Sequence, residues 1–208
     1  MKPEKKRPLV VKLGGSLWRS PDLSRWMSAL KGASEAITLV PGGGPFADAV
    51  RRAQPEMGYS DAAAHSMAML GMEQYGLALI DKFEGLRLAS TPAEASEIHS
   101  RGEIAVWRPM DMAGAEQVPA SWDVTSDSLA AWYARESGAQ SLLLIKSVDA
   151  EACDPESLVD ACFEVYSREL EVYVAGPKAL VSASSIFAQG GAVGARLDFA
   201  LTPRKNKP

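Results

Sequence analysis

The feature that most limits the fold of this chain is an alternation. Five short aliphatic runs, "LVVKL" (9–13), "AITLV" (36–40), "IAVW" (104–107), "SLLLI" (141–145) and "EVYVA" (171–175), are separated mostly by longer amphipathic stretches. Each run is strand-sized and rich in β-branched or aliphatic residues. Strands that alternate with helices imply crossover units and an α/β fold with a mostly parallel sheet covered on both faces.

The stretches between the runs have helix punctuation. In "SPDLSRWMSALKG", Ser20 is expected to cap the helix, Pro21 to open it and Gly32 to close it. In "TPAEASEIHSRG", Thr91 and Glu94 have capping-box spacing and Gly102 is the stop. "TSDSLAAWYARESG" is expected to be capped by Thr125 or Ser126 and to end at Gly138. Ser60 is expected to cap a long helix that runs to Phe83. His65, Met69, Met72, Gly76 and Leu79 fall on one stripe of that helix, and Met67, Leu70 and Leu77 on a second. A helix apolar on two sides is buried or packs against another subunit, so a homodimer or larger assembly is expected. Met110–Trp122 has no period and reads as a loop.

With 208 residues and no linker, repeat or low-complexity tract, the chain is expected to form one domain over 1–208, with 1–8 a disordered, solvated end. The net charge of -4 gives no basic excess for a phosphate backbone, which argues against nucleic acid as partner. No stretch approaches the ~20 apolar residues of a membrane helix, and no signal-peptide core follows the basic head. Cys153 and Cys162 are not spaced as a CxxC pair, and His65 and His99 lie far from them, so no zinc site and no disulfide framework are expected. A reducing cytoplasm is the expected compartment.

In an open parallel sheet, ligands bind beyond the carboxyl ends of the strands. Two glycine-rich turns fall there. Gly14-Gly15-Ser16 follows the first run, with Lys12 just before it, and Gly42-Gly43-Gly44 follows the second. Consecutive glycines let N–H groups converge on an anion, and each turn leads into a helix whose amino end favours negative charge. Neither turn is a GxxxxGK[ST] loop or a GxGxxG fingerprint. Asp127 falls in the first turn of the helix after "DVT", where it either complements the helix dipole or holds lysines around a phosphoryl group. Lys146 ends the fourth apolar run and Asp149 follows it in the turn. A lysine there is either a snorkelling strand end or a phosphate ligand.

Together "VVKLGGS", "VPGGGPFAD", "TSDSLAA" and "LLLIKSVDA", in this order over Lys12–Asp149, resemble the amino acid kinase family, which includes acetylglutamate, uridylate, isopentenyl phosphate and fosfomycin kinases. The resemblance implies a three-layer αβα sandwich, ATP as donor, and a small anionic acceptor with a carboxylate, phosphate or phosphonate oxygen. A narrower one, in "SDAAAHSMAMLGMEQYG", is to the small members that phosphorylate an aminomethyl-furan-methyl phosphate in methanofuran-type cofactor biosynthesis. The chain departs from the family in two places. No late glycine-rich segment with a second phosphate-binding lysine precedes the last strands, and Lys146 stands where relatives often have threonine. Either Lys146 replaces that lysine or the nucleotide site is degraded.

The resemblance implies the following roles. Lys12 bridges donor and acceptor phosphates, Lys146 supports the donor side, and Asp127 holds both lysines. The N–H groups of Gly14, Gly15 and Gly43 meet the developing charge, with Ser16 and Asp149 on the nucleotide side. Gly42, Gly43 and Gly44 face the acceptor. His65 either reaches the acceptor's anionic group or is a core histidine. Mg²⁺ is expected to ride on the ATP phosphates rather than in a protein cage. The alternatives are a non-catalytic binding or storage protein on the same fold, and a kinase of another acid such as an acylated amino acid.

Overall fold

The computed structural model describes residues 8–112, 114, 118–150 and 155–197. Cys153 lies outside them. Their core is one seven-stranded sheet in the order β3-β4-β2-β1-β5-β6-β7. The strands are β1 Leu9–Leu13, β2 Ile37–Pro41, β3 Leu86–Ala89, β4 Ile104–Trp107, β5 Ser141–Ile145, β6 Glu171–Ala175 and β7 Ala195–Arg196. All neighbours pair in parallel except β6 and β7. Eight α-helices accompany them: α1 Leu23–Lys31, α2 Gly44–Met57, α3 Asp61–Lys82, α4 Pro92–Ser100, α5 Ser126–Glu136, α6 Pro155–Leu158, α7 Phe163–Ser167 and α8 Leu180–Ala188. Among the described residues, no helix is long and apolar enough to cross a membrane.

The five aliphatic runs are all strands. β3 and β7 lack such a run. β3 is only four residues long and includes the exposed Arg87, and β7 has two exposed residues on the sheet edge. An edge strand needs no second apolar face, so it leaves little pattern to read.

Strand geometry decides which way Lys12 points. Side chains alternate between faces. Leu9, Val11 and Leu13 pack with Trp26, Met27 and Leu30 of α1 and Phe187 of α8. Val10 faces the other way, into the cluster of Leu129, Ala130 and Tyr133 of α5 with Phe163 of α7. Lys12 is two residues beyond Val10 and therefore points to the α5 side.

The connections set the site. From β1 the chain moves to β2 on one side, and from β5 it moves to β6 on the other. β1 and β5 are adjacent, with Lys12 opposite Leu144. Such a switch point opens a crevice beyond the carboxyl ends of the two strands. Lys146 is the first residue past β5, and its N–H still bonds the Ala175 carbonyl at 2.9 Å.

The helix starts refine the sequence reading. Ser60 caps α3 and accepts from Ala63 N–H. Thr91 caps α4, accepting from Glu94 N–H, while the Glu94 carboxylate returns to Ser90 N–H at 2.8 Å. α1 begins two residues later than expected, because Ser20 Oγ accepts from Asp22 N–H and turns the chain before Leu23. Thr125 does stand at the cap of α5, but its side chain does not bond the helix. A carboxylate from elsewhere does that work, as described below. On α3, Met69, Met72, Gly76 and Leu79 are buried, whereas Leu70 is 43% and Leu77 53% exposed. The second stripe is thus not covered by the described part of this subunit.

Candidate phosphoryl-transfer site

Lys12, Asp127 and Lys146 come from three elements and meet. Lys12 Nζ lies 2.8 Å from Asp127 Oδ1, and Lys146 Nζ lies 2.7 Å from Asp127 Oδ2. Lys12 and Asp127 are both buried at 5% exposure. One carboxylate thus separates two ammonium groups at the switch point. It also sits in the first turn of α5, where the helix dipole favours an anion. Asp127 thus lies in the first turn of α5 and its carboxylate pairs with both lysines.

The charges tune each other. Burial pushes the Asp127 carboxyl up, but the two ammonium groups outweigh it and hold the pKa below the usual carboxylate range. Burial and the neighbouring Lys12 charge bring Lys146 down to about 8, against the upward pull of Asp127 and Asp160. Lys146 is therefore the member of the trio whose charge changes near neutrality.

The glycine turns divide into two kinds. Gly14 N–H donates to the Ile145 carbonyl at 2.8 Å, and Gly42 N–H donates to the Leu13 carbonyl at 2.8 Å. These two extend the sheet and offer no donor to an anion, which corrects the expected role of the Gly14 N–H. Their lack of a side chain matters for close approach. A Cβ on Gly14 would sit 2.8 Å from the Ile145 carbonyl oxygen. Gly15 and Ser16 open a 3-10 turn, Gly15–Arg19, whose first bond runs from Leu17 N–H to Gly14. Gly43 and Gly44 precede the first bond of α2, which runs from Ala47 N–H to Gly43. N–H groups that precede the first bond of a helix have no partner within it. The two turns touch, since a Cβ on Gly15 would lie 2.8 Å from Gly44 N. Gly15, Ser16, Gly43 and Gly44 therefore bring together the backbone of two helix starts.

Beside them opens a cavity of about 290 Å³. Gly15, Ser16, Gly43, Gly44 and His65 line it, while Lys12, Asp127, Gly14 and Gly42 do not. Thr125 and Ser126, just before Asp127, form its far wall. His65 Nε2 is buried there with no hydrogen-bond partner among the described residues, and burial lowers its pKa. Ser16 Oγ pairs with Ser147 Oγ at 2.9 Å across the switch point. Asp149 sits apart, where its Oδ1 accepts from Lys178 N–H at 2.9 Å.

Further lining residues are not singled out by the sequence. Arg51 of α2 stacks over the Trp122 ring, 4.3 Å from its centroid. Trp122 Nε1 donates to Gln54 Oε1 at 2.6 Å, and Gln54 Nε2 donates to Asp61 at 2.8 Å. Arg51, Asp61 and Trp122 all line the cavity. Arg51 brings a guanidinium to the cavity wall, whereas α3 has no Arg or Lys ahead of Lys82. A polar residue on a helix surface gives no signal until tertiary structure sets a cavity beside it. Among the described residues, no group of three or more His, Cys, Asp or Glu side chains is placed to hold a metal.

The comparisons with known proteins agree with this geometry. The model of the amino acid kinase family matches residues 7–150. A relative from Methanocaldococcus jannaschii, [5-(aminomethyl)furan-3-yl]methyl phosphate kinase, is 25% identical over 143 residues, covering 67% of this chain and 66% of the relative, just under two thirds of its length. Among solved structures, the uridylate kinase of Archaeoglobus fulgidus has a TM-score of 0.63 at 18% identity, over 90% of this chain and 98% of its own. The UMP kinase of Bacillus anthracis has a TM-score of 0.63 at 16% identity, over 93% and 96%. These structures share the three-layer parallel fold. The family match spans both glycine turns, Asp127 and Lys146, the residues that build the switch-point site. The chain belongs to the amino acid kinase family, a family of phosphotransferases.

Proposed function

We propose that the chain is an ATP-dependent small-molecule kinase that transfers a phosphoryl group to an anionic oxygen. The observation that carries the reading is the single carboxylate of Asp127 bridging Lys12 and Lys146 at the switch point. Phosphoryl transfer needs little covalent chemistry from a protein; it needs in-line positioning and cations around the equatorial oxygens. Mg-ATP supplies the phosphoryl group and the metal that shields its charge. Lys12, near the carboxyl end of β1 just before the first glycine turn, holds donor and acceptor oxygens together. Lys146 neutralises the donor side and takes the place of the late lysine that the chain lacks. The N–H groups of Gly15, Ser16, Gly43 and Gly44 meet the charge that develops in the transition state. Asp127 fixes both ammonium groups by charge-assisted bonds. A storage protein would need anion sites but no such convergence, so the kinase reading is preferred.

For the acceptor we propose a small ring compound with a phosphate, of the class named for the archaeal relative. The cavity suits one ring and its charged groups rather than a whole nucleotide. Trp122, Met69 and Met72 offer apolar surface to a ring, Arg51 and His65 offer donors to a phosphate, and Asp61 offers a carboxylate to an ammonium. An acylated amino acid would use Arg51 but would bring no ammonium to Asp61. The cytoplasm, as the source of ATP, is the proposed compartment. The direct test is ADP release by purified protein with Mg-ATP and a panel of small phosphates and carboxylates. No release with any acceptor, and no heat on titration with Mg-ATP, would end the kinase reading in favour of a binding protein.

Two further expectations follow. Lys146→Met keeps the apolar stem and removes the charge. It should weaken Mg-ATP binding by about tenfold or more, the worth of one hydrogen bond to a charged group, and leave acceptor affinity nearly unchanged. Calorimetric titration of both proteins reads this, and equal nucleotide affinities would reduce Lys146 to a strand end. The pH dependence has a definite sign. In the ligand-free protein Lys146 is charged below about 8 and neutral above it, so kcat/KM for Mg-ATP should fall as pH rises through about 8. In Lys146→Arg, which stays charged, that alkaline limb should disappear.

We also propose that the exposed stripe of α3, Leu70 and Leu77, meets a second copy of the chain. Light scattering should give a mass of at least twice 22.2 kDa, and a monomer at micromolar concentration would exclude this.

A further inference from the structure

The amino end of α5, which positions Asp127, is held by a residue from a different part of the chain. Asp160 lies between α6 and α7. Its Oδ2 accepts from Thr125 N–H at 2.8 Å, Thr125 Oγ1 at 2.8 Å and Ser128 N–H at 3.0 Å, and its Oδ1 accepts from Ser128 Oγ. The segment is anchored on both sides of Asp160. Leu158 and Phe163 are buried in the α5-side core, and Cys162 N–H donates to the Asp123 carbonyl at 3.1 Å. The bond from Ser128 N–H is the one that a capping side chain at Thr125 would normally accept for itself. Asp127 is enclosed by this grip, with Thr125 two residues before it and Ser128 immediately after it.

We propose that Asp160 is a positioning residue for phosphoryl transfer: its carboxylate locks the first turn of α5, so that Asp127 faces both lysines, and its negative charge reaches Lys146 through the field of that turn. The charge count supports this. Lys12, buried, and Lys146, half-buried, are two cations against the one carboxylate that touches them. Asp160 brings the local sum to zero, and its field already raises the Lys146 pKa against burial and the Lys12 charge. The groups that act on Lys146 are thus Lys12 from β1, Asp127 from α5 and Asp160 from the α6–α7 connection. That connection lies between β5 and β6, where the expected glycine-lysine segment is missing. The short segment that stands there contributes a carboxylate, while the lysine comes from the end of β5.

The kinetic part of this proposal rests on the kinase reading, whereas its electrostatic part does not. The test therefore follows Lys146 itself, by ¹³C NMR titration of the lysine ε-carbons in ligand-free protein, with Lys146→Arg to assign the signal. Asp160→Asn should lower the Lys146 midpoint by about half a unit to one unit, as expected for loss of one nearby anion. With Mg-ATP and [5-(aminomethyl)furan-3-yl]methyl phosphate, kcat should fall about ten- to a hundredfold at unchanged acceptor KM, the worth of a hydrogen bond to a charged group. Asp160→Glu, which keeps the charge, should return the midpoint close to wild type. An unchanged midpoint in folded Asp160→Asn, with only a lower melting temperature, would reduce Asp160 to a helix cap and overturn the proposal. If wild-type protein shows no turnover, the kinase reading fails and the titration still decides the role of Asp160. If Asp160→Asn does not fold, Asp160→Ser, which removes the charge and keeps an oxygen that can accept from Ser128 N–H, decides instead. A displaced Lys146 midpoint supports the proposal and a wild-type midpoint overturns it.

Discussion

Lys12→Ala is expected to lower turnover by about 10²–10³, the usual loss for one transition-state contact of this kind. Lys12 is the one cation on β1, just before the first glycine turn, and no other described lysine touches Asp127 except Lys146. From the sequence alone, a lysine near a strand end should be cheap to remove. The structure changes that expectation. The Lys12 side chain is only 6% exposed and its ammonium is paired. Its loss removes packed methylenes and one ion pair, so a stability cost of about 2 kcal/mol is expected. Part of that loss is offset, because Asp127 keeps Lys146 and the repulsion between the two ammonium groups disappears. The Lys146 midpoint should accordingly rise above about 8 in this variant. ADP formation, a thermal melt and the lysine titration measure the three effects. A folded Lys12→Ala protein with wild-type turnover would remove the site assignment.

Asp127→Asn is expected to be more damaging to the fold. The substitution leaves the buried Lys12 and the half-buried Lys146 ammonium groups with no carboxylate between them. Breaking a buried pair by removing one partner commonly costs about 3–5 kcal/mol, because an uncompensated charge stays behind. The protein can relieve this by releasing a proton, and Lys146, already brought down to about 8, is the group to do so. The sign follows. Without Asp127, whose charge pulls Lys146 up, the Lys146 midpoint falls below about 8, and the penalty grows as pH drops towards 6. As pH rises towards 9, Lys146 becomes neutral and the penalty shrinks. Urea unfolding of wild type and Asp127→Asn at the two pH values tests this. An equal difference at pH 6 and pH 9 would mean that the lysines do not share the carboxylate. Turnover should fall by at least as much as in Lys12→Ala, since both cations lose their fixed position.

The sequence by itself determined five of the seven strands. The five aliphatic runs that became β1, β2, β4, β5 and β6 are buried on both faces, so nearly every residue in them had to be apolar, and that leaves a continuous signal. Ser60 and Thr91 were legible as caps because they bond within their own first turn. The glycine turns, Lys12, Asp127 and Lys146 were legible from order along the chain. Other parts were decided only by tertiary structure. Which glycine N–H groups remain for an anion depends on the neighbouring strand, since Ile145 takes that of Gly14 and Leu13 takes that of Gly42. Arg51 and Trp122 face one cavity because α2 and the loop before α5 fold against each other, which no local pattern encodes. Asp160 caps a helix that begins more than thirty residues earlier, so its role has no spacing to read. The distinction is physical: periodicity and local caps are properties of neighbours along the chain, whereas charge balance and free donors depend on which distant segments meet at the switch point between β1 and β5.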